Sequence, residues 1–373
     1  MKKNMNKIFV VVLCSVVIVA FSRGEKMNLI SMENLGIAVG MGIGINKDVG
    51  GNIIYRVTSI TNSYKEDSSV ETIVSTGVGS TIGKTREDRQ KKSGLEFFLG
   101  LTKISLADEE YAKYGLRTLM EVNFKNPVAN DNVFFLMCKG KHEEYFNYKT
   151  PGYDNSADYI SDMIKNSANY NFFREDYTFQ NAALALDAEG KNIVSPFIEM
   201  VEDEIKINGM AVFNKDKLGV ILDMKETRIM NMLRENKVRG ILTIQKNSEK
   251  YINYQAESKR KISCKKTGDK YTFTIDLNLD GEIINNELYK DITTDIEVTN
   301  KFEDDMERQV KGICNEFLDK MKKEYKLDLL QLGWVAAAKY GRDTGADWNE
   351  IVSNSDIVVN VKVHVDKLGR GQY

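Results

Sequence analysis

The sequence predicts an α+β protein of more than one domain, with mixed or antiparallel sheets and helices that are segregated from them. Three observations favour this class. The chain has 373 residues, whereas one domain usually holds about 100–200. Strand-like runs occur in pairs around turn residues, which is typical of antiparallel hairpins. Amphipathic helices follow runs of strands instead of alternating with each strand.

The N-terminal segment, residues 1–24, is predicted to be an export signal or a membrane anchor. Lys2, Lys3 and Lys7 precede an uncharged and mostly apolar run over residues 8–21. A positive flank before an apolar core of about 7–15 residues is the pattern of an export signal, whereas a helix that spans a bilayer usually needs about 20 residues. Because no clean small-residue cleavage site follows, a cleaved signal and a short uncleaved anchor both stay open.

A first domain is predicted over residues 25–200, and it begins with a β-hairpin. Residues 35–45 alternate apolar residues with glycine, and residues 53–60 form a second apolar run after a turn rich in Gly, Asn and Asp. The other elements expected in this domain are a helix that begins within residues 80–92, a strand at 101–106, a helix from 108 to about 122, a buried strand at 133–138 and a helical stretch at 151–191.

A second domain is predicted over residues 201–373, and it contains two more hairpins. The first joins residues 205–213 to 217–222, and the second joins residues 258–265 to 270–279, where apolar residues alternate without a break. The other elements expected here are a short helix at 226–234, a long amphipathic helix at about 304–325, a short helix around 329–340 and an alternating strand at 357–365.

Composition excludes several functional classes. Lys and Arg total 52 and Asp and Glu total 54, so a net charge of −2 leaves no overall field that attracts nucleic acid. His142 and His364 are the only histidines, too few for a multi-histidine metal site or a histidine-based triad. Cys138, Cys264 and Cys314 match neither a disulfide framework nor a metal-ligand spacing, and the first and last are expected to be buried. We therefore predict no enzyme activity, no cofactor, and no catalytic, cofactor-binding or metal-binding residues.

Residues 77–85 resemble a phosphate-binding loop without matching it. Such a loop has a glycine, four residues and then Gly-Lys-Ser/Thr, so that backbone N–H groups surround a phosphate. Gly83, Lys84 and Thr85 satisfy the second part, but Val78 occupies the position of the first glycine. We interpret the segment as a flexible turn that leads into a helix.

Residues 276–287 match the calcium-binding loop of an EF-hand at every liganding position. Gly281 stands at the position of the sharp turn and Glu287 at the twelfth position. An EF-hand loop should follow a helix, yet residues 270–279 alternate as a strand. We favour a strand that ends in an Asp-Gly turn, and calcium binding is the alternative that stays open.

A group of basic residues lies in the same predicted hairpin. Because no exposed aromatic residues are interleaved with them, nucleic acid is a poor ligand for this group. Lysines often protect the edges of sheets, so we favour a solvated edge strand, and contact with anionic membrane head groups is the alternative. The group consists of Lys259, Arg260, Lys261, Lys265, Lys266 and Lys270.

Several stretches, in this order and spacing, resemble the Ger(x)C family of spore-germination lipoproteins, the C subunits of nutrient germinant receptors. They are Leu35-Gly-Ile-Ala-Val, Asp108-Glu-Glu-Tyr-Ala-Lys-Tyr-Gly-Leu, Ile207-Asn-Gly-Met-Ala-Val-Phe-Asn-Lys-Asp-Lys-Leu-Gly-Val, Glu226-Thr, Leu332-Gly-Trp, Trp348 and Ile357-Val-Val-Asn-Val-Lys-Val. The stretch from Gly209 to Gly219 is the most specific, and the resemblance covers residues 30–370.

The resemblance implies a secreted, non-enzymatic subunit that takes part in spore germination. It also implies attachment to the outer face of the spore inner membrane or cell membrane, with integral-membrane A and B subunits as partners and no catalytic residues. The alternative from another class is a stand-alone extracytoplasmic ligand-binding lipoprotein that acts as a solute receptor. That class would need two similar α/β lobes and a cleft, whereas both halves are predicted to be α+β.

The sequence departs from the family pattern at the site of lipid attachment. The family usually has a lipobox cysteine a few residues before the first strand, which corresponds to a position near Lys26, and residues 23–26 are Arg-Gly-Glu-Lys. Cys14 follows Leu13 instead of the small residue that a lipobox needs. We therefore expect an unlipidated protein that is held by an uncleaved anchor or by its partner subunits.

Overall fold

The structure, a computed structural model, describes Ser15, residues 31–67 and residues 69–367. The predicted export segment therefore lies outside the described residues except for Ser15. Within the described ranges, no helix is both long and apolar enough to cross a membrane. The described chain forms two β-sheets with helices packed against them, which is the α+β class that the sequence predicts.

The first sheet contains nine strands within the described residues. They are β1 (Leu35–Lys47), β2 (Ile53–Tyr64), β3 (Val70–Gly79), β4 (Glu96–Phe98), β5 (Ile104–Asp108), β6 (Phe134–Cys138), β7 (Val194–Val201), β8 (Glu204–Asn214) and β9 (Lys217–Asp223). Their order across the sheet is β3-β2-β1-β5-β6-β7-β8-β9, and β4 pairs with β1.

This sheet is antiparallel at both ends and parallel in the centre. The hairpin predicted from residues 35–45 and 53–60 is confirmed as β1 and β2, and the hairpin of residues 205–213 and 217–222 is confirmed as β8 and β9. In the centre, β1, β5, β6 and β7 run parallel. These pairings are not among the predicted ones, because parallel strands are joined through helices and no tight turn marks their pairing.

Six α-helices accompany the first sheet in the described chain. They are α1 (Ile82–Gln90), α2 (Glu109–Tyr114), α3 (Arg117–Phe124), α4 (His142–Phe146), α5 (Ser156–Ser167) and α6 (Phe179–Asp187). The helix predicted from residue 108 to about 122 is two helices, because the chain turns at Gly115 with a φ of 137°. Asp108 caps the first of them, since its carboxylate accepts a hydrogen bond of 2.9 Å from the Tyr111 N–H.

The second sheet has the order β10 (Val238–Asn247), β11 (Lys250–Thr267), β12 (Lys270–Asn286) and β13 (Asp356–Lys367). The predicted hairpin of residues 258–265 and 270–279 is confirmed, and both of its strands are longer than predicted. The alternating strand predicted at residues 357–365 is also confirmed, and it pairs with β12 in parallel. Its inward side chains, Val359, Val361 and Val363, are buried.

The helices of the second half are α7 (Met224–Arg234), α8 (Ile296–Lys320), α9 (Leu332–Tyr340) and α10 (Trp348–Ser353). The predicted long amphipathic helix is α8, which begins at Ile296 rather than near residue 304 because Asp295 caps it. A π-helical turn, Met321–Tyr325, extends it. The predicted stripe packs on the second sheet through Met306, Val310 and Phe317, all buried. Each such side chain contributes about 1.5–3 kcal/mol of transfer free energy.

The two predicted domains share part of their interior. β7 and β8 pair across residue 200, so the first sheet continues into the second predicted domain. Phe172, Tyr177 and Val194, from the first predicted domain, belong to the same hydrophobic core as β12 and α8. A boundary near residue 200 therefore stays a proposal about folding units, and it does not coincide with a gap between the sheets.

Candidate functional site

The segment that resembles a phosphate-binding loop is a turn between a strand and a helix, as predicted. β3 ends at Gly79, and Thr81 caps α1 by accepting a hydrogen bond of 3.2 Å from the Lys84 N–H. A Cβ atom at Gly77 would overlap the Thr85 carbonyl oxygen. The glycines therefore let α1 pack closely on its own strand.

The segment that matches a calcium-binding loop lies in β12 over residues 276–286, and Glu287 directly follows the strand. The prediction of a strand is confirmed, but the predicted turn at Asp280 and Gly281 is wrong, because both residues pair with β11 inside β12. A Cβ atom at Gly281 would overlap the Gln255 carbonyl oxygen, so glycine is needed for strand packing here. Side chains on one face of a strand are spaced along it and do not surround a point. Within the described residues, no group of three or more His, Cys, Asp or Glu side chains is placed to hold a metal ion.

The basic group lies along a sheet edge. The last residue of β11 that pairs with β10 is Ser258, so the stretch beyond it has a strand neighbour only on the β12 side within the described chain. Lys259 forms an ion pair of 2.9 Å with Asp280, while Lys261 and Lys265 are exposed. The arrangement agrees with the favoured interpretation, a solvated edge strand protected by lysines.

The three described cysteines are buried and free. Burial raises the pKa of the Cys314 thiol to about 12, which keeps it protonated and unreactive at neutral pH. The two histidines lie in different halves: His364 is exposed on β13, and His142 is fully buried at the start of α4. Within the described residues, these thiols and imidazoles belong to no cluster that is placed to hold a metal ion.

A buried charge cluster lies on one face of the first sheet, and it is absent from the sequence predictions. We define the cluster as Arg56, Asp108, His142 and Glu143. The Arg56 guanidinium is 2.6 Å from the Glu143 carboxylate and 3.2 Å from the Asp108 carboxylate, and it also donates to the Asn46 side chain. Its side chain is 10% exposed, so these charges interact with little screening by water.

Glycines in β1 make room for this cluster. Gly44 lies between Arg56 on β2 and Asp108 at the end of β5, in one row across the sheet. A Cβ atom at Gly44 would overlap the Asp108 carboxylate, and one at Gly42 would overlap the His142 ring. The side chains of the two outer strands can therefore meet over the central one. The alternation of glycine at residues 40, 42 and 44 is the sequence signal that could have indicated this site.

His142 completes the cluster. Its Nε2 lies 2.9 Å from the Thr58 hydroxyl, and its Nδ1 lies 3.5 Å from Glu143 and 3.7 Å from Asp108. Nδ1 has no hydrogen-bond partner among the described residues. Burial raises the pKa of Glu143, but the hydrogen bond from Arg56, the positive charges nearby and a backbone hydrogen bond together outweigh burial and hold this pKa below its ordinary value. One guanidinium thus faces two carboxylates, and the His142 ring lies beside both of them.

The buried charge cluster can hold separate elements of the first sheet together. It joins β2, β5 and α4. Arg56 on β2 is 52 residues from Asp108 on β5 and 87 residues from Glu143 on α4. Both carboxylates are engaged with the guanidinium, and the ring of His142 is fully buried. A buried ion pair of this kind specifies which elements meet, and removing one partner strongly lowers the free energy of unfolding.

A second group of contacts joins the two halves of the chain. The Glu189 carboxylate accepts hydrogen bonds of 2.8 Å from the Trp348 indole and 2.6 Å from the Asp343 N–H. A Cβ atom at Gly190 would overlap the backbone of Gly333, so the loop that leads to β7 lies directly against α9. The stretches Leu332-Gly-Trp and Trp348 are therefore interface residues.

The stretch from Gly209 to Gly219 also has a structural role. Gly209 in β8 has a φ of 156°, and a Cβ atom there would overlap the Leu222 carbonyl oxygen on β9. A Cβ atom at Gly219 would come within 2.6 Å of the Leu327 side chain. Glycine is needed at both positions for β8 and β9 to pair and for the second half to pack on them.

Two family models cover almost the whole described chain. Residues 30–200 match the model described as the spore germination protein N-terminal domain, and residues 208–369 match the model described as spore germination B3/GerAC like, C-terminal. The chain belongs to the Ger(x)C family. This confirms the resemblance found in the sequence.

Individual relatives agree with membership of the Ger(x)C family. The spore germination protein GerQC from Bacillus cereus is 20% identical over 183 residues, which is 49% of this chain and about half, 51%, of that protein. The crystal structure of the GerBC protein matches with a TM-score of 0.55 and 14% identity, covering 87% of this chain and 97% of that chain. At this identity the structural match shows a shared fold alone.

Proposed function

We propose that this chain is the C subunit of a spore nutrient-germinant receptor and acts without catalysis. The observation that carries the proposal is that both family models, each describing a spore germination domain, match in order along one chain. The proposed partners are the integral-membrane A and B subunits, and the proposed location is the outer face of the spore inner membrane or cell membrane.

The way the chain uses its charged groups supports a binding or scaffolding role. The buried charge cluster holds elements of the first sheet together, and buried Arg234 joins the two halves through backbone carbonyl oxygens. The buried thiols of Cys138 and Cys314 have raised pKa values and are poor nucleophiles. The charged side chains thus stabilise the fold, and the buried thiols are not available for chemistry.

The test is deletion of the gene in a spore-forming host that lacks other copies of the family. We expect the spores to lose their response to at least one nutrient germinant while still germinating with calcium dipicolinate, which bypasses nutrient receptors. Restoring the intact gene should restore the response. A normal response to every nutrient, accompanied by loss of uptake of one solute, would contradict the proposal and favour a stand-alone solute receptor.

Membrane attachment without a lipid is part of the proposal. Since residues 23–26 contain no cysteine, acyl transfer to a mature N-terminal cysteine has no substrate there. A helix of 14 residues, the length of the mostly apolar run over 8–21, would measure about 21 Å, shorter than the roughly 30 Å hydrocarbon core. We expect intact-mass measurement on protein from its own host to show no diacylglycerol. An adduct on any cysteine would refute this, and a chain beginning near residue 25 would leave partner subunits as the only attachment.

A further inference from the structure

A cavity of about 300 Å³ lies on the first sheet, on the face opposite to the buried charge cluster. Met41 and Ile43, which alternate with the glycines of β1, form its floor together with Val57 of β2. Helices α1 and α3 form two of its walls. Val122, a lining residue on α3, is 44% exposed, so the cavity reaches the surface.

The lining of this cavity is mostly apolar, with few polar groups. Its polar lining residues are Asn123, Asn126 and Asn130, one threonine, one serine and the arginines of α1. An apolar cavity with a small number of convergent polar groups is typical of a binding site for a small organic molecule.

Arg89 is the polar group that stands out in this lining. Arg89 is 7% exposed. Its Nη1 donates to the Val57 carbonyl oxygen at 2.8 Å and to the Thr85 hydroxyl at 3.4 Å. Among the described residues, its Nε and Nη2 groups have no hydrogen-bond partner and the guanidinium forms no ion pair. The acidic neighbours on α1, Glu87 and Asp88, pair with Lys91 and Lys92 instead.

A buried guanidinium without a counter-ion is unfavourable. Burial, and next the charge of Arg86, lower the pKa of Arg89 to about 10. Arg86 also lines the cavity and forms no ion pair within the described residues, and its solvent-exposed side chain adds a second positive charge beside the buried Arg89. Because isolated buried charges are rare unless paired, this geometry calls for an anion.

We propose that this cavity binds a small monocarboxylate with an apolar body, and that the carboxylate accepts hydrogen bonds from Nε and Nη2 of Arg89. These two donors form the side of the guanidinium that binds carboxylates in a bidentate manner. The apolar body lies against Met41, Ile43 and Val57. The site is independent of the receptor role proposed above.

Size and charge define the ligand class. A volume of 300 Å³ holds about ten groups of the size of a water molecule, at about 30 Å³ each. This is the size of an aromatic or medium-chain carboxylate. No Asp or Glu side chain is among the described residues that line the cavity, so the ammonium group of an amino acid has no partner there.

Three probes of similar size test the proposal on the full purified chain: phenylacetate, phenylacetamide and phenethylamine, each titrated by calorimetry at neutral pH. We expect phenylacetate to bind at least tenfold more tightly than the neutral amide, and the amine to bind more weakly than the amide. The difference between carboxylate and amide should persist at higher salt, because the guanidinium is buried and screened only weakly.

Three variants locate the site. Arg89→Gln should remove most of the preference for the carboxylate over the amide. Val122→Trp, at the exposed margin, should block the cavity and weaken the binding of both probes at least tenfold. Lys84→Gln is the matched control, because this exposed lysine is on the same helix but does not line the cavity. It should leave both affinities within about twofold of the original values.

The proposal is wrong if none of the probes binds at millimolar concentration, or if all three bind equally. It is also wrong if Arg89→Gln keeps the carboxylate preference with an unchanged thermal midpoint. If Arg89→Gln does not fold, the Val122→Trp variant tests the proposal. Unchanged binding of the probes to Val122→Trp would show that they bind outside this cavity and would refute the proposal. Loss of the germination role would not affect these results, because binding is measured on the isolated chain.

Discussion

Gly42 and Gly44 lie at the centre of β1, directly beneath the side chains of His142 and Asp108. On a sheet, the side chains of a strand and of its second neighbour are normally separated by the side chains of the strand between them. Removing those side chains lets Arg56 reach Asp108 across β1. At the scale of single residues, these glycines therefore leave the room that the buried contact between Arg56 and Asp108 occupies.

We expect Gly44→Ala to lower the free energy of unfolding by about 1–3 kcal/mol, the usual effect of forcing extra atoms into a packed core. The added methyl group would overlap the Asp108 carboxylate and force it away from Arg56. Urea unfolding followed by circular dichroism measures the change. Gly312→Ala is the control: it lies inside α8 with nothing near an added Cβ atom, and it should raise stability by about 0.5–1 kcal/mol. Equal stability of Gly44→Ala and the original protein would contradict the packing argument.

Glu143→Gln tests the ionic contact through its pH dependence. The pKa of Glu143 in the folded protein is below its ordinary value of 4.5, so ionisation favours folding above that pH, and this contribution is lost as the pH falls through the folded-state pKa. Arg56, Asp108 and His142 are the charged or titratable groups that face it. The variant should lose about 1–3 kcal/mol at pH 7, and the loss should shrink as the pH falls below 4.5 and through the lowered pKa of Glu143 in the folded protein.

Denaturant unfolding at a series of pH values measures this difference. Glu144→Gln is the matched control, because the neighbouring side chain is exposed and forms no ion pair within the described chain. A difference between Glu143→Gln and the original protein that stays constant from pH 7 to well below pH 4.5 would refute the ionic origin of the stabilisation.

At the scale of elements, pairing decides how an ambiguous motif folds. Residues 276–287 have the spacing of a calcium loop, but Asp280 and Gly281 continue β12 between β11 and β13. The ladder hydrogen bonds on both sides and the buried side chains of Leu277 and Leu279 stabilise the extended backbone. A loop conformation would break these contacts, so the sheet determines the structure of the motif.

We therefore expect calcium to have no effect on stability through this motif. The thermal midpoint should be the same in millimolar calcium and in EDTA, and Glu287→Gln should leave both values unchanged. A ligand that binds only the folded state must raise the midpoint. A calcium-dependent rise that disappears in Glu287→Gln would overturn the assignment of residues 276–286 to a strand without calcium.

At the scale of the whole molecule, one buried side chain connects the two halves. Arg234, at the end of α7, donates hydrogen bonds of 2.9 Å to the Asn192 carbonyl oxygen and 2.8 Å to the Leu329 carbonyl oxygen, and its Nε is 3.1 Å from Glu235. Its guanidinium is 2% exposed. The two halves share this contact and one hydrophobic core, so we expect them to unfold together.

We expect Arg234→Met to lower the free energy of unfolding by about 3–5 kcal/mol, because it leaves two buried carbonyl oxygens without their donor and leaves Arg174, at 3.5 Å, as the remaining ion-pair partner of Glu235. Tryptophan fluorescence, which reports Trp334 and Trp348, and circular dichroism should give one coincident transition for the original protein. Arg239→Met, which removes an exposed ion pair with Glu257, should cost less than about 1 kcal/mol. A similar small loss for Arg234→Met would show that the halves do not depend on this contact.

The sequence by itself determined the local elements and the family. Hairpins, helix caps and apolar stripes depend on residues that are close in sequence, so β1–β2, β8–β9, β11–β12, α8 and β13 are all predictable. The family follows from motifs whose glycines and tryptophans hold tight contacts in the fold.

Only the tertiary structure decided which distant residues meet. The parallel neighbours of the first sheet, the contacts of Arg56 over Gly44 and the uncompensated Arg89 in its cavity depend on which strand lies beside which. The partners of Arg56 are 52 and 87 residues away, and no short-range pattern encodes such a pairing. Burial explains why Arg56 has these partners, because a charge removed from water is stable only where the fold places an opposite charge beside it. Which residues lie beside it depends on the packing of the whole chain.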